Sequence, residues 1–164
     1  MKQVTLAVAA LALVAGCKGK QTKTDDSVPM AGGGDTVESA PLSFNPQGSD
    51  SGEIAGLSTV NFDLDKSALG NAAKEKLRGN AAWMKQNGNV KLQIEGHCDA
   101  RGSVEYNIAL GERRANAVKA YMVSQGIAGD RLSVISYGKE KPLDNGDTES
   151  AYAKNRRANF VPLQ

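Results

Sequence analysis

Asp99 sits in a stretch punctuated by Gly96 and Gly102, and Arg114 follows it by fifteen positions inside a run with helical periodicity. One ligand chemistry asks for an acid and an arginine held close together: the zwitterionic head of an amino acid. Its ammonium wants an acceptor-only carboxylate, and its carboxylate matches a guanidinium fork. A helix N-terminus adds oriented N–H groups and positive potential beside the ligand's carboxylate. The same spacing equally permits Asp99 and Arg114 to form a plain salt bridge with each other, and spacing alone does not choose.

Catalytic chemistry fits these residues less well. His97, Cys98 and Asp99 are the residue types of a Cys–His–Asp hydrolase, but they are consecutive. Successive side chains in extended chain point to opposite faces, so adjacent His and Cys do not pair readily as nucleophile and base. His97 is the only histidine. Zinc asks for ligands spaced to converge, which these are not. The sequence calls for no catalytic residue, metal or cofactor.

Several elements must hold the pair in place. Leu57–Phe62 reads as a first strand, and Ser67 as the cap of a helix running to about Gln86, with Leu69, Ala73, Leu77, Ala81 and Met84 on one face. Val90, Leu92 and Ile94 alternate with polar residues, the pattern of a half-buried strand. After a loop from Gly96 to about Val104, a second helix runs to about Gln125, burying Tyr106, Leu110, Ala117, Val118 and Tyr121 and stopped by Gly126. Leu132–Tyr137 reads as a third strand, Thr148–Asn155 as a short helix and Arg156–Val161 as a last strand. Long helices between strands imply crossovers. The fold class expected is α+β, a two-layer sandwich of helices on a mixed sheet.

The 164 residues leave room for tails around one modest domain. Val4–Val14 is an apolar run behind a short positive start, too short to span a bilayer and suited to the core of a secretory signal. Val14–Ala15–Gly16–Cys17 resembles a bacterial lipobox. Residues 1–16 are therefore expected to be removed and Cys17 to become the lipidated first residue. Several acyl chains hold firmly where one is marginal. Lys18 in place of Asp favours the outer membrane. With Cys17 lipidated, Cys98 has no disulfide partner and is expected to be buried.

Residues 17–52 read as lipidated cysteine and tether. They hold Pro29, Pro41 and Pro46, the Gly32–Gly34 run and few large apolar groups. As a flexible coil the tether would span about 30–35 Å. Residues 53–164 read as the folded domain. There 16 Lys and Arg face 13 Asp and Glu, a net of +3 with no clustered aromatics, which is not a nucleic-acid footprint.

The motif around the pair is specific. Gly96, His97, Cys98, Asp99, Gly102, Tyr106, Asn107, Leu110, Gly111, Arg114, Ala115, Ala117 and Val118 stand in a pattern that resembles the OmpA-like peptidoglycan-binding domain family. Phe62–Lys66 upstream, and Ser136–Pro142 and Ala151–Arg157 downstream, extend the resemblance over about Leu57 to Phe160. With lipobox and tether it is similar to the lipid-anchored branch of that family. Two positions depart from the pattern: Cys98 replaces a residue such as Thr or Ala, and Ala100 replaces a Glu.

The resemblance implies a wall-binding protein rather than an enzyme, with the meso-diaminopimelate of the peptidoglycan stem peptide as ligand. By position, Asp99 would accept from its ammonium and Arg114 would clamp its carboxylate. Asp65 and Asn107 would line the pocket, Leu110 would pack on the ligand's methylenes, and Arg157 would reach the peptide. Residue type also admits plainer roles: Asp65 as a helix cap, Leu110 as core, Arg157 as a solvated strand charge. The resemblance further implies an outer-membrane location facing the periplasm, a part in the Tol system during envelope constriction at division, and a partner in its periplasmic β-propeller protein. A lipid-anchored cell-wall hydrolase or amidase is the alternative, and it would need a zinc triad or a separated nucleophile and base. A motor-stator anchor would need a transmembrane helix in place of the lipobox.

Overall fold

The computed structural model describes residues 48–163. The expected signal, the lipobox with Cys17, and all but the last residues of the tether lie outside that range. Within it, four strands form one mixed sheet: β1 (Val60–Asn61), β2 (Lys91–His97), β3 (Leu132–Gly138) and β4 (Arg157–Leu163). Their spatial order is β1-β4-β2-β3. β2 lies parallel to β3, and β4 runs antiparallel to both β1 and β2. Helices α1 (Asn71–Gln86), α2 (Val104–Ser124) and α3 (Glu149–Asn155) complete the α+β two-layer sandwich.

The core lies between α1 and α2 and one face of the sheet. Leu77 and Met84 from α1, Val118 and Met122 from α2, and Leu92, Ile94 and Phe160 from the sheet are all fully buried. Strand alternation sends Leu92 and Ile94 into that core and turns Glu95 and His97 to the other face. The parallel β2–β3 pair needs a crossover, and α2 supplies it.

Gly96 and Gly111 bring β2 and α2 together backbone to backbone. A Cβ on Gly96 would fall inside van der Waals distance of the Gly111 carbonyl, and a Cβ on Gly111 would overlap Ser136 Oγ and the Gly96 carbonyl. No other residue type permits this approach without displacing the helix. Arg114, three residues past Gly111, is thereby set against the end of β2.

Several boundaries differ from expectation. β1 is two residues rather than six, because only Val60 and Asn61 pair with β4. α1 starts at Asn71 behind Gly70, with no side-chain cap, so Ser67 is not its cap. The chain before it is committed elsewhere: the carbonyls of Asp63 and Lys66 accept from Arg114. α2 is capped by Ser103, whose hydroxyl accepts from the Tyr106 N–H, and Thr148 caps α3 in the same way. Tyr106, expected in the core, is exposed, while Asn107, Arg114 and Ala115 take the buried positions.

The last residues of the expected tether are packed. Ser49–Ser51 forms a short 3-10 turn, with Ser49 Oγ donating to Asn159 Oδ1 at 3.0 Å. Asp50 pairs with Arg157 at 3.2 Å. Residues 49–51, expected in the tether, are therefore packed against β4.

Candidate functional site

Arg114 has no exposed surface, yet no carboxylate among the described residues lies within salt-bridge distance of it. Its guanidinium is held by backbone instead. Nε donates to Lys66 O at 2.9 Å, Nη2 to Asp63 O at 3.1 Å and Nη1 to His97 O at 2.8 Å. The Cys98 sulfur lies 3.4 Å from Nη1, and the Phe62 ring centroid is 5.1 Å from Cζ. Burial lowers its pKa, with the nearby cation Arg156 adding to the effect. A buried charge without an opposite partner is costly. It is also a standing source of positive potential for any anion that reaches it.

Asp99 is buried at 5% exposure and does not pair with Arg114, so the plain salt bridge is not formed. Its partners are two other arginines. Arg101 donates from Nη2 to Oδ2 at 2.6 Å and from Nε to Oδ1 at 3.2 Å, and its backbone N–H also reaches Oδ1 at 3.2 Å. Arg156 donates from Nη1 to Oδ2 at 3.2 Å. Burial pushes the Asp99 carboxyl up, but these bonds outweigh it and hold its pKa below the usual range.

Both groups line one cavity of about 340 Å³. Asp65, Asn107 and Leu110 line it too, so five of the six residues named from sequence converge there. Asp65 follows the first strand at φ +57° and accepts a hydrogen bond from the Tyr106 hydroxyl, so it does not cap α1. Asn107 is fastened through Nδ2 to Arg101 O at 2.7 Å and Ser103 O at 2.9 Å, which ties the 99–103 loop to α2. Leu110 is buried and also faces the cavity, so its core and lining roles coincide.

Arg157 is the correction. It is buried, but on the other side of β4, paired with Asp50. Its neighbour Arg156 lines the cavity in its place. Sequence reasoning missed Arg156 because it set 156 as the first residue of the last strand, whereas Arg156 caps the end of α3 and β4 begins at Arg157. Arg101 was also passed over, being a polar residue in a loop with no partner evident from spacing.

His97 and Cys98 part in the same way. The His97 ring lies 3.5 Å from Glu95 and 5.6 Å from the Tyr137 ring centroid, and neither ring nitrogen makes a hydrogen bond. Cys98 faces Asn107 and Arg114 and is buried as expected, with burial raising its thiol pKa. The imidazole and the thiol therefore do not meet. Ala100, the second departure from the motif, is exposed beside Asp99.

A two-layer α+β domain with an acid and a buried arginine sharing a cavity beneath a glycine-bearing loop defines the class. The profile of the OmpA family matches residues 61–156, and the chain belongs to that family. Among curated relatives, the peptidoglycan-associated lipoprotein of Mesorhizobium japonicum is 37% identical, the match covering 94% of this chain and 88% of that protein. The peptidoglycan-associated lipoprotein of Pasteurella multocida is 36% identical over 96% of this chain and 95% of its own. The crystal structure of the peptidoglycan-associated lipoprotein from Burkholderia pseudomallei superposes with a TM-score of 0.62 at 35% identity, covering 64% of this chain and 89% of that one. The C-terminal domain of Helicobacter pylori MotB has the same TM-score at 20% identity over 66% and 86% of the two chains, a likeness of fold alone.

Proposed function

We propose that this protein is an outer-membrane lipoprotein whose domain binds peptidoglycan non-covalently through meso-diaminopimelate, tying the membrane to the wall. The observation that carries the proposal is the fully buried Arg114, without a carboxylate partner among the described residues, beside a cavity that also holds Asp99. A ligand with both charges on one carbon answers both groups. Its carboxylate would sit in the potential of Arg114, and its ammonium would go to Asp99. Most of the Arg114 fork is spent on backbone carbonyls, so its part is chiefly electrostatic. Asp65 and Asn107 would wall the site, and Leu110 would pack on the methylenes. Arg156 takes the place that the motif suggested for Arg157.

The relatives named peptidoglycan-associated lipoprotein support the same reading. Cys17 would carry the lipid after removal of residues 1–16, and the domain would face the periplasm on its tether. A tethered domain facing a polymer of identical stem peptides gains effective concentration, so single-site affinity need not be high. Membership of the Tol system, a role at division and docking to its β-propeller protein complete the proposal. Nothing in the cavity calls for bond cleavage.

The test is co-sedimentation of residues 18–164, which lack the lipidated cysteine, with diaminopimelate-type sacculi. Wild type should pellet, and Asp99→Asn and Arg114→Gln, each removing a charge and each checked for folding by circular dichroism, should stay in solution. Equal pelleting of all three would move the binding site elsewhere. Titration against a lysine-type stem peptide should show weaker binding, because that ligand lacks the carboxylate for Arg114.

A further inference from the structure

The carboxylate assigned to the ligand's ammonium is already fully engaged. A carboxylate offers about four lone-pair sites. Asp99 accepts four N–H bonds: three from Arg101, through its backbone N, Nε and Nη2, and one from Arg156. An incoming ammonium has no acceptor to bind unless one of the two guanidinium groups leaves.

The two are not equally free to do so. The Arg156 side chain is 8% exposed and is pinned at both other corners, with Nε donating to Phe62 O at 3.1 Å and Nη2 to Glu149 at 2.8 Å. The Arg101 side chain is 40% exposed and stands on a loop. It is also held from a second side. Its Cζ lies 4.4 Å from the Tyr152 ring centroid, and its Nη1 lies 3.5 Å from Glu149, whose side chain is 66% exposed. Ring face and carboxylate together stabilise a guanidinium that has let go of Asp99.

We propose that Arg101 is a built-in stand-in for the ligand's ammonium: it occupies Asp99 in the free protein and, when the ammonium arrives, lets go of Asp99 while keeping its contacts with Tyr152 and Glu149. The inference rests on the diaminopimelate reading above and adds a specificity-determining residue to it. Arg101 keeps Asp99 ionised and neutralised while the site is empty. Ligands that bring no cation leave the Arg101–Asp99 pair intact and are held only by the remaining contacts. The affinity for the true ligand is reduced by the strength of the contact that it must replace.

The prediction runs against the usual effect of deleting a charged pocket residue. In calorimetric titration of residues 18–164 with a soluble diaminopimelate stem peptide, Arg101→Ala should bind about five-fold more tightly than wild type, the fold expected of a part-exposed ion pair. Arg101→Lys, which keeps a charge but cannot chelate both carboxylate oxygens, should fall between the two. A gain in affinity cannot come from misfolding. If wild type binds and Asp99→Asn does not, yet Arg101→Ala binds equally or more weakly, Arg101 is a ligand contact or an inert neighbour and the inference is overturned. If wild type does not bind, or Asp99→Asn binds as well as wild type, the diaminopimelate reading fails first and this inference falls with it.

Discussion

Arg156 and Arg157 are adjacent, and they hold two different acids: Arg156, the C-cap of α3, donates to Asp99 at 3.2 Å, and Arg157, the first residue of β4, to Asp50 at 3.2 Å. The junction of α3 and β4 thus joins the cavity to the turn at Ser49–Ser51. The two substitutions should separate cleanly. Arg156→Ala frees one acceptor site of Asp99 but also unties Phe62 O and Glu149, so the cavity wall should loosen and co-sedimentation with sacculi should weaken. Arg157→Ala should leave binding within about two-fold and lower stability by about 1–2 kcal/mol in urea denaturation, because Asp50 is near enough to solvent to be rehydrated. Loss of binding in both would mean that the two sites are coupled.

Gly111→Ala should cost about 3 kcal/mol in the same denaturation experiment. Its methyl group would overlap Ser136 Oγ and the Gly96 carbonyl, and backbone against backbone cannot relax as a flexible side chain does. Gly79→Ala on the open face of α1 meets nothing and should stabilise the helix by about 0.5–1 kcal/mol. Equal effects at the two glycines would show that the β2–α2 approach is not as tight as described.

Arg114→Lys keeps the charge and loses the geometry. A single ammonium cannot reach the carbonyls of Asp63, Lys66 and His97 together as the guanidinium does. The variant should be less stable by about 2–3 kcal/mol, the cost of carbonyls left without donors. Amide exchange should accelerate first in residues 63–66. Unchanged exchange there would show that Arg114 does not hold that loop.

Stability should fall as the pH drops below about 6.5, the ordinary histidine value. The His97 ring is buried, and desolvation pulls its pKa down, with Arg157 adding to the effect and Glu95 opposing it. The folded form therefore resists the proton that the unfolded chain accepts. Its contribution is fully present above the unfolded pKa and is lost as the pH falls toward the folded one. Between pH 7.5 and 5.5 the loss should be about 1 kcal/mol. His97→Gln should flatten the curve in that window, whereas an unchanged slope would assign it to other groups. Asp99 acts in a lower window: its depressed pKa stabilises the fold above about pH 4 and the effect is lost below it.

Much of the fold and the site was legible before any coordinates. Period-2 alternation placed β2 to within one residue at its start, and the apolar periodicity of 104–125 placed α2, because both elements present one face to a single core. The motif placed Asp99, Arg114, Asn107, Leu110 and Asp65 around one cavity, since residue types at fixed spacing survive in the one-dimensional pattern. The tertiary structure decided the partners. Which arginine of the 156–157 pair faces Asp99 depends on where α3 ends and β4 begins, a boundary that falls between the two residues. That Arg114 is spent on backbone carbonyls, and that Arg101 fills Asp99, depends on where a loop of low periodicity comes to rest. Residue types and spacing specified which groups meet; only packing specified which of them bond, because a hydrogen bond needs distance and angle that no linear pattern encodes.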